Sequence, residues 1–188
     1  MTEVVSPPNN KSAAVDLTVP PLQLPDMTHA AETMLNQALD YCAQKIGIGD
    51  YEAIIKHLQS GDSVTSGFFQ YSVANQLAEY LGVLDNEIRA VYLYDYDATP
   101  EDMAFGQLRQ ISLIHLIVWT GRKTNALYAL IAAVSRALSD KYASLIGTDE
   151  RKHMLDIQIV DDNDVEQRRG YGGLLNSTQY QPIRLWRR

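Results

Sequence analysis

The chain has one cysteine, no surplus of positive charge and no long apolar run, and each shortage excludes a class of protein. Cys42 alone cannot form an internal disulfide or supply a cysteine-rich metal site. It falls on an apolar helical stripe, where a buried free thiol is the expected state. The formal net charge is −7 over 188 residues, which argues against a nucleic-acid-binding role. Arg184, Arg187 and Arg188 do not change that balance and read as a solvated basic end. The longest apolar run, Ile111 to Trp119, is broken by Ser112 and His115 and is strand-sized, so no membrane span is expected. Met1 to Asn10 lack the apolar core of a secretory signal, and a cytoplasmic protein is the default expectation. His29, His57, His115 and His153 lie on separate elements without metal-ligand spacing, so neither a metal nor a cofactor is expected.

What is present is an ordinary globular complement of 46% hydrophobic residues, arranged in two periods. Residues 1–25 hold five of the seven prolines and read as a flexible tail. Asp26 then suits an N-cap, and Met27, Ala31, Met34, Leu35, Ala38, Leu39 and Cys42 recur at helical spacing until Gly47. Shorter stretches predict helices over Tyr51 to Gln59 and Ser66 to Leu81, the last stopped by Gly82. From Ile88 to Tyr96 the period drops to two, with Ala90, Tyr92, Tyr94 and Tyr96 on one face, which predicts a strand. The tyrosines suit a core or a subunit interface. Ile111 to Trp119 is apolar on both faces and predicts a central strand buried from both sides, with His115 a satisfied core histidine. A helix from Lys123 to Ile146 and a strand from Met154 to Val160 follow, with Asp161, Asp162 and Asp164 as a solvated exit and Gly170, Gly172 and Gly173 forcing a tight path. A strand, a long helix and a strand in succession imply a parallel crossover. The fold class is therefore α/β: tandem β-α-β units forming a mixed sheet with helices on one face, plus extra N-terminal helices. Three segments result: the tail 1–25, a decorated first unit 26–106, and a second unit 107–188 ending in a glycine-rich hairpin and a C-terminal tail.

The second unit reads Ser112-Leu-Ile-His-Leu-Ile-Val-Trp-Thr-Gly-Arg122, then Leu130-Ile131, Val134-Ser135 and Leu138 on a helix, an aliphatic strand, and Arg169-Gly-Tyr-Gly-Gly173. This order is similar to the tautomerase superfamily of 4-oxalocrotonate tautomerase and macrophage migration inhibitory factor. In the first unit, Ile88-Arg89-Ala90-Val91 and Pro100 to Gly106 resemble the family's second strand and the loop after it. The resemblance implies that Arg122 and Arg89 bind substrate carboxylate, that Phe105 lines an apolar wall, and that Ser112 stands at the place of the catalytic proline. Family chemistry needs a proline at the mature N-terminus, where a secondary amine of lowered pKa acts as the base. Here Thr2 follows Met1 and Ser112 is internal, so proline-based catalysis is expected to be absent and no other catalytic residue is assigned. Asp156 replaces the second-strand arginine in the second unit, and Arg169 replaces its aromatic. Two readings remain open: a structural or small-ligand-binding module, or an active isomerase on small 2-oxo or enol acids. The resemblance also implies a homo-oligomer, a trimer, since a strand apolar on both sides has one side without an obvious partner in a two-layer monomer.

Overall fold

A computed structural model describes residues 26–94, 114–149, 153–178 and 182–188. Three helices come first: α1 (Met27–Ile46), α2 (Tyr51–Ser60) and α3 (Ser63–Leu84). Each starts at an aspartate whose carboxylate accepts from the first-turn amides: Asp26 from Thr28 and His29, Asp50 from Glu52, and Asp62 from Thr65. Gly47 and Gly61 end the first two in the left-handed conformation, at φ 71° and 75°. Gly82 does not stop α3, which runs on to Leu84. Its missing side chain does something else. A Cβ there would lie 2.4 Å from the Trp186 indole, so the glycine makes room for that ring.

After α3 come β1 (Ile88–Leu93), β2 (Ile114–Thr120), α4 (Asn125–Leu145), β3 (Leu155–Asp161), the short helices α5 (Asp162–Glu166) and α6 (Tyr171–Leu174), and β4 (Ile183–Arg187). The described strands form one mixed sheet in the order β3-β2-β1-β4. β2 and β3 are parallel, joined through α4, while β1 runs antiparallel to both β2 and β4. The α/β class and all three expected strands are present.

One face of the sheet carries the main core. Leu116 and Val118 of β2 and Ile88 and Val91 of β1 meet Phe69, Leu77 and Leu81 of α3 and Leu127, Val134 and Leu138 of α4. α1 packs chiefly on α3 and α4, forming a further layer over them. Cys42 lies buried there, its thiol 3.6 Å from the Thr65 carbonyl.

The other face departs from the sequence reading in four ways. First, helices do not lie on one face only: α5 and α6 cross the outer face, where Ile117, Val160 and Val165 are buried with Tyr92, Tyr94, Trp119, Tyr171 and Leu174 around them. The second side of β2 thus finds a partner within the chain, so burying it does not require another subunit. Second, the glycine-rich hairpin is a helical turn. β3 and β4 lie at opposite ends of the sheet, so no hairpin can join them. Gly172 instead brings α6 against α5, where a Cβ would meet the Asp164 carbonyl oxygen at 2.5 Å. Third, the C-terminal tail is β4, paired to β1, with Arg187 opposite Ala90. Fourth, the acidic strand exit is a helix start. Asp161 caps α5 by accepting from the Asp164 amide at 2.9 Å, and the Asp164 carboxylate accepts in return from the Asp161 amide at 3.2 Å.

Candidate functional site

The backbone of β1 bulges between Ile88 and Ala90 in its pairing with β2, and Arg89 occupies the bulge. Extra residues at such a point redirect a side chain. Arg89 is more than half exposed and forms an ion pair with Asp162, the first residue of α5. Asp162 holds a second donor: the Trp119 indole Nε1 donates to its other oxygen at 2.9 Å. One carboxylate is thus gripped by a guanidinium and an indole from two neighbouring strands.

Beside this grip lies an open cleft of about 390 Å³ at the carboxyl ends of β2 and β4. Its walls include Arg89, Arg187, Arg188, Glu87, Trp119 and Gly121. Among the described residues three arginines and one acidic side chain line it, in a chain whose net charge is −7. Arg188 is the most firmly placed of the three. It donates to the Gly82 carbonyl at 2.7 Å and to the Asn86 carbonyl and side-chain oxygen at 2.8 and 3.0 Å. Its guanidinium lies 5.7 Å from the Trp186 ring centre. A cation on the last carbonyls of α3 complements the helix dipole. The expected solvated basic end is therefore an ordered strand that delivers two arginines to a cleft.

Of the residues singled out in the sequence, Arg89 lines this cleft. Arg122 does not. It is exposed in the turn after β2, and its backbone carbonyl accepts from the Thr120 hydroxyl at 3.2 Å. Phe105 and Ser112 lie outside the described residues. Arg187, Arg188, Trp119, Glu87 and Asp162 were not singled out as site residues. Arg187 and Arg188 arrive through the pairing of β4 with β1, and Asp162 through the helix that follows β3, placements that no local pattern announces.

Two further polar groupings occupy the outer face. Lys123 and Asp164 form a hydrogen-bonded ion pair. That bond holds the Asp164 carboxyl below its ordinary range, aided by the Asp161 amide, and raises the Lys123 ammonium above its own. His115 is half-buried rather than a core residue. Its Nδ1 lies 3.0 Å from Asp156, which also accepts from Gln158 at 2.9 Å. The register places His115 directly opposite Asp156, so the aspartate that departs from the tautomerase pattern has a local partner. His115 precedes Trp119 by four strand residues, about 13 Å at the usual rise. That distance separates the imidazole from any small molecule seated in the cleft.

The described residues contain no group of three metal-binding side chains and no helix long and apolar enough to cross a membrane. Fold and site together define an α/β protein with a mixed four-stranded sheet and a basic cleft at one end of it. No family model, curated protein or solved structure matches the chain.

Proposed function

We propose that this chain is a tautomerase-like module that binds a small carboxylate in the cleft beside Arg89 and has no proline-based catalysis. The observation that carries the reading is the meeting of Arg89, Arg187 and Arg188 around one cleft, with Glu87 the one acidic side chain among its described lining residues. Guanidinium groups match carboxylates in a two-pronged geometry that ammonium groups do not. The cleft volume falls within the usual range for small-molecule sites. Ser112, which stands where the resemblance puts the family's proline, carries no secondary amine to act as that base. Arg122 stands outside the cleft lining, and Phe105 and Ser112 keep the roles that the resemblance implies.

Titration with succinate, followed by calorimetry, tests the proposal. Arg187→Ala and Arg89→Ala should each weaken binding about tenfold or more, on the scale of a lost charge-assisted hydrogen bond. Arg136→Ala, an exposed change on α4, should leave it unaltered. Equal effects from all three would remove the cleft from consideration.

The isomerase reading is favoured by one feature, the carboxylate of Glu87 beside the arginines, where a base would have to stand. Turnover of phenylenolpyruvate that is lost in Glu87→Gln would establish it. The module acts in the cytoplasm as a homo-oligomer, a trimer by the resemblance. The outer strands β3 and β4 are the available edges among the described residues, and Ile183 on β4 is 54% exposed. Light scattering at micromolar concentration, with a mass three times that of the chain, supports this; a monomer mass refutes it.

A further inference from the structure

We propose that Arg89 and Trp119 are the two donors that receive the ligand's carboxylate, and that Asp162 occupies their place until the ligand displaces it. This deepens the carboxylate-binding reading above and rests on it.

The Asp162 carboxylate is bound as a ligand carboxylate would be. One oxygen takes the Arg89 guanidinium and the other takes the Trp119 indole N–H at 2.9 Å. Both donors line the cleft, whereas Asp162 is not one of its lining residues and reaches them from the first position of α5. The indole is half-buried and its N–H is a donor only, so it requires an acceptor whether or not a ligand is present. Asp162 satisfies it in the free protein. The grip is nevertheless easy to open. The Arg89 side chain is 53% exposed and that of Asp162 33%, and an ion pair so wetted is worth little net. Release needs only a rotation of the Asp162 side chain. The backbone of α5 stays fixed by its cap, Asp161 with Asp164, and by Lys123 on Asp164. An incoming carboxylate then exchanges with Asp162 like for like, leaving no buried donor unpaired, and the freed aspartate turns to water.

Removal of the competing charge should therefore tighten binding. In Asp162→Asn the amide oxygen still accepts from the indole, but the negative charge on Arg89 is gone. Succinate is the probe, and the Trp119 indole N–H resonance is the reporter, assigned by its disappearance in Trp119→Phe. Asp162→Asn should bind succinate roughly fivefold tighter than the wild type, the scale of one exposed ion pair. Asp162→Ser should do the same, which guards against a fault peculiar to asparagine. Arg89→Gln should abolish the gain in either background. Wild-type binding with unchanged or weaker binding in both Asp162 variants overturns the displacement and leaves the carboxylate site standing. No binding by the wild type and none by either variant overturns both.

Discussion

Leu116 and Ile117 are neighbours on β2, both essentially inaccessible to water, yet they belong to differently built faces. Leu116 points into a core closed by α3 and α4, with α1 layered over them. Ile117 sits in a small cluster with Val160 and Val165, edged by half-exposed tyrosines, Trp119 and three polar pairings: Arg89–Asp162, Lys123–Asp164 and His115–Asp156. The helical face buries apolar area and holds the fold. The outer face keeps charge near water, where a ligand can meet it.

Truncation of the two neighbours gives the sharpest contrast. Leu116→Ala should cost about 3–4 kcal/mol, near the upper part of the range for a closed core site. Ile117→Ala should cost about 2–3 kcal/mol, because its surroundings can relax or admit water. Urea unfolding measures both, and an Ile117 cost equal to or above that of Leu116 would erase the distinction. Gly172→Ala tests how tightly the outer cover is seated. The added methyl would meet the Asp164 carbonyl oxygen at 2.5 Å, a backbone atom that cannot step aside. A loss of about 1–3 kcal/mol is expected, with the Trp119 environment disturbed in near-ultraviolet circular dichroism. An unperturbed variant would mean that α6 is loosely held.

A smaller effect comes from the Lys123–Asp164 pair. The depressed Asp164 carboxyl contributes stability above the ordinary carboxyl value near about pH 4, and this is lost as pH falls through its lower folded value. The raised Lys123 ammonium contributes below about pH 10, and this is lost as pH rises through its higher folded value. Asp164→Asn should therefore cost about 1 kcal/mol at pH 7, with the difference from the wild type shrinking towards zero well below pH 4. A cost that persists unchanged at about pH 2.5 would assign the effect to packing. The smallest expected signal is on the helical face. Burial pushes the Cys42 thiol up to about 11, so the native protein should not react with Ellman's reagent at pH 8 over minutes and should react fully in urea. Fast native labelling would show that this face opens readily.

The helical face was the legible one. The capping Asp26 and the apolar spacing of the three stretches mark its helices, while the caps Asp50 and Asp62 emerge only from the structure. The alternation after Ile88 and the apolar run ending at Trp119 mark its central strands. The outer face and the cleft were not legible, because their residues are brought together by pairings between distant segments. β4 is five residues long, carries two arginines, and reads locally as a solvated end. Gly172 reads as turn chemistry, although its role is to let two short helices touch. Arg89 is a candidate in the sequence only through the resemblance, on a strand that the alternation marks. Trp119 joins it only once β1 pairs with β2, Asp162 once β3 pairs with β2, and Arg187 once β4 pairs with β1.

β4 has one more consequence, which concerns the order of synthesis. β1 emerges from the ribosome long before Ile183 to Arg187 exist, so the edge that β4 will cover lacks that partner while residues 94–182 are made. During that interval the space beside Gly82 lacks its indole and the last carbonyls of α3 lack the Arg188 guanidinium. Nascent chains halted before residue 183 should therefore present a sticky strand edge and depend on chaperones. Arrival of this five-residue strand pairs the second edge of β1, seats Trp186 and brings Arg187 and Arg188 to the cleft in a single event.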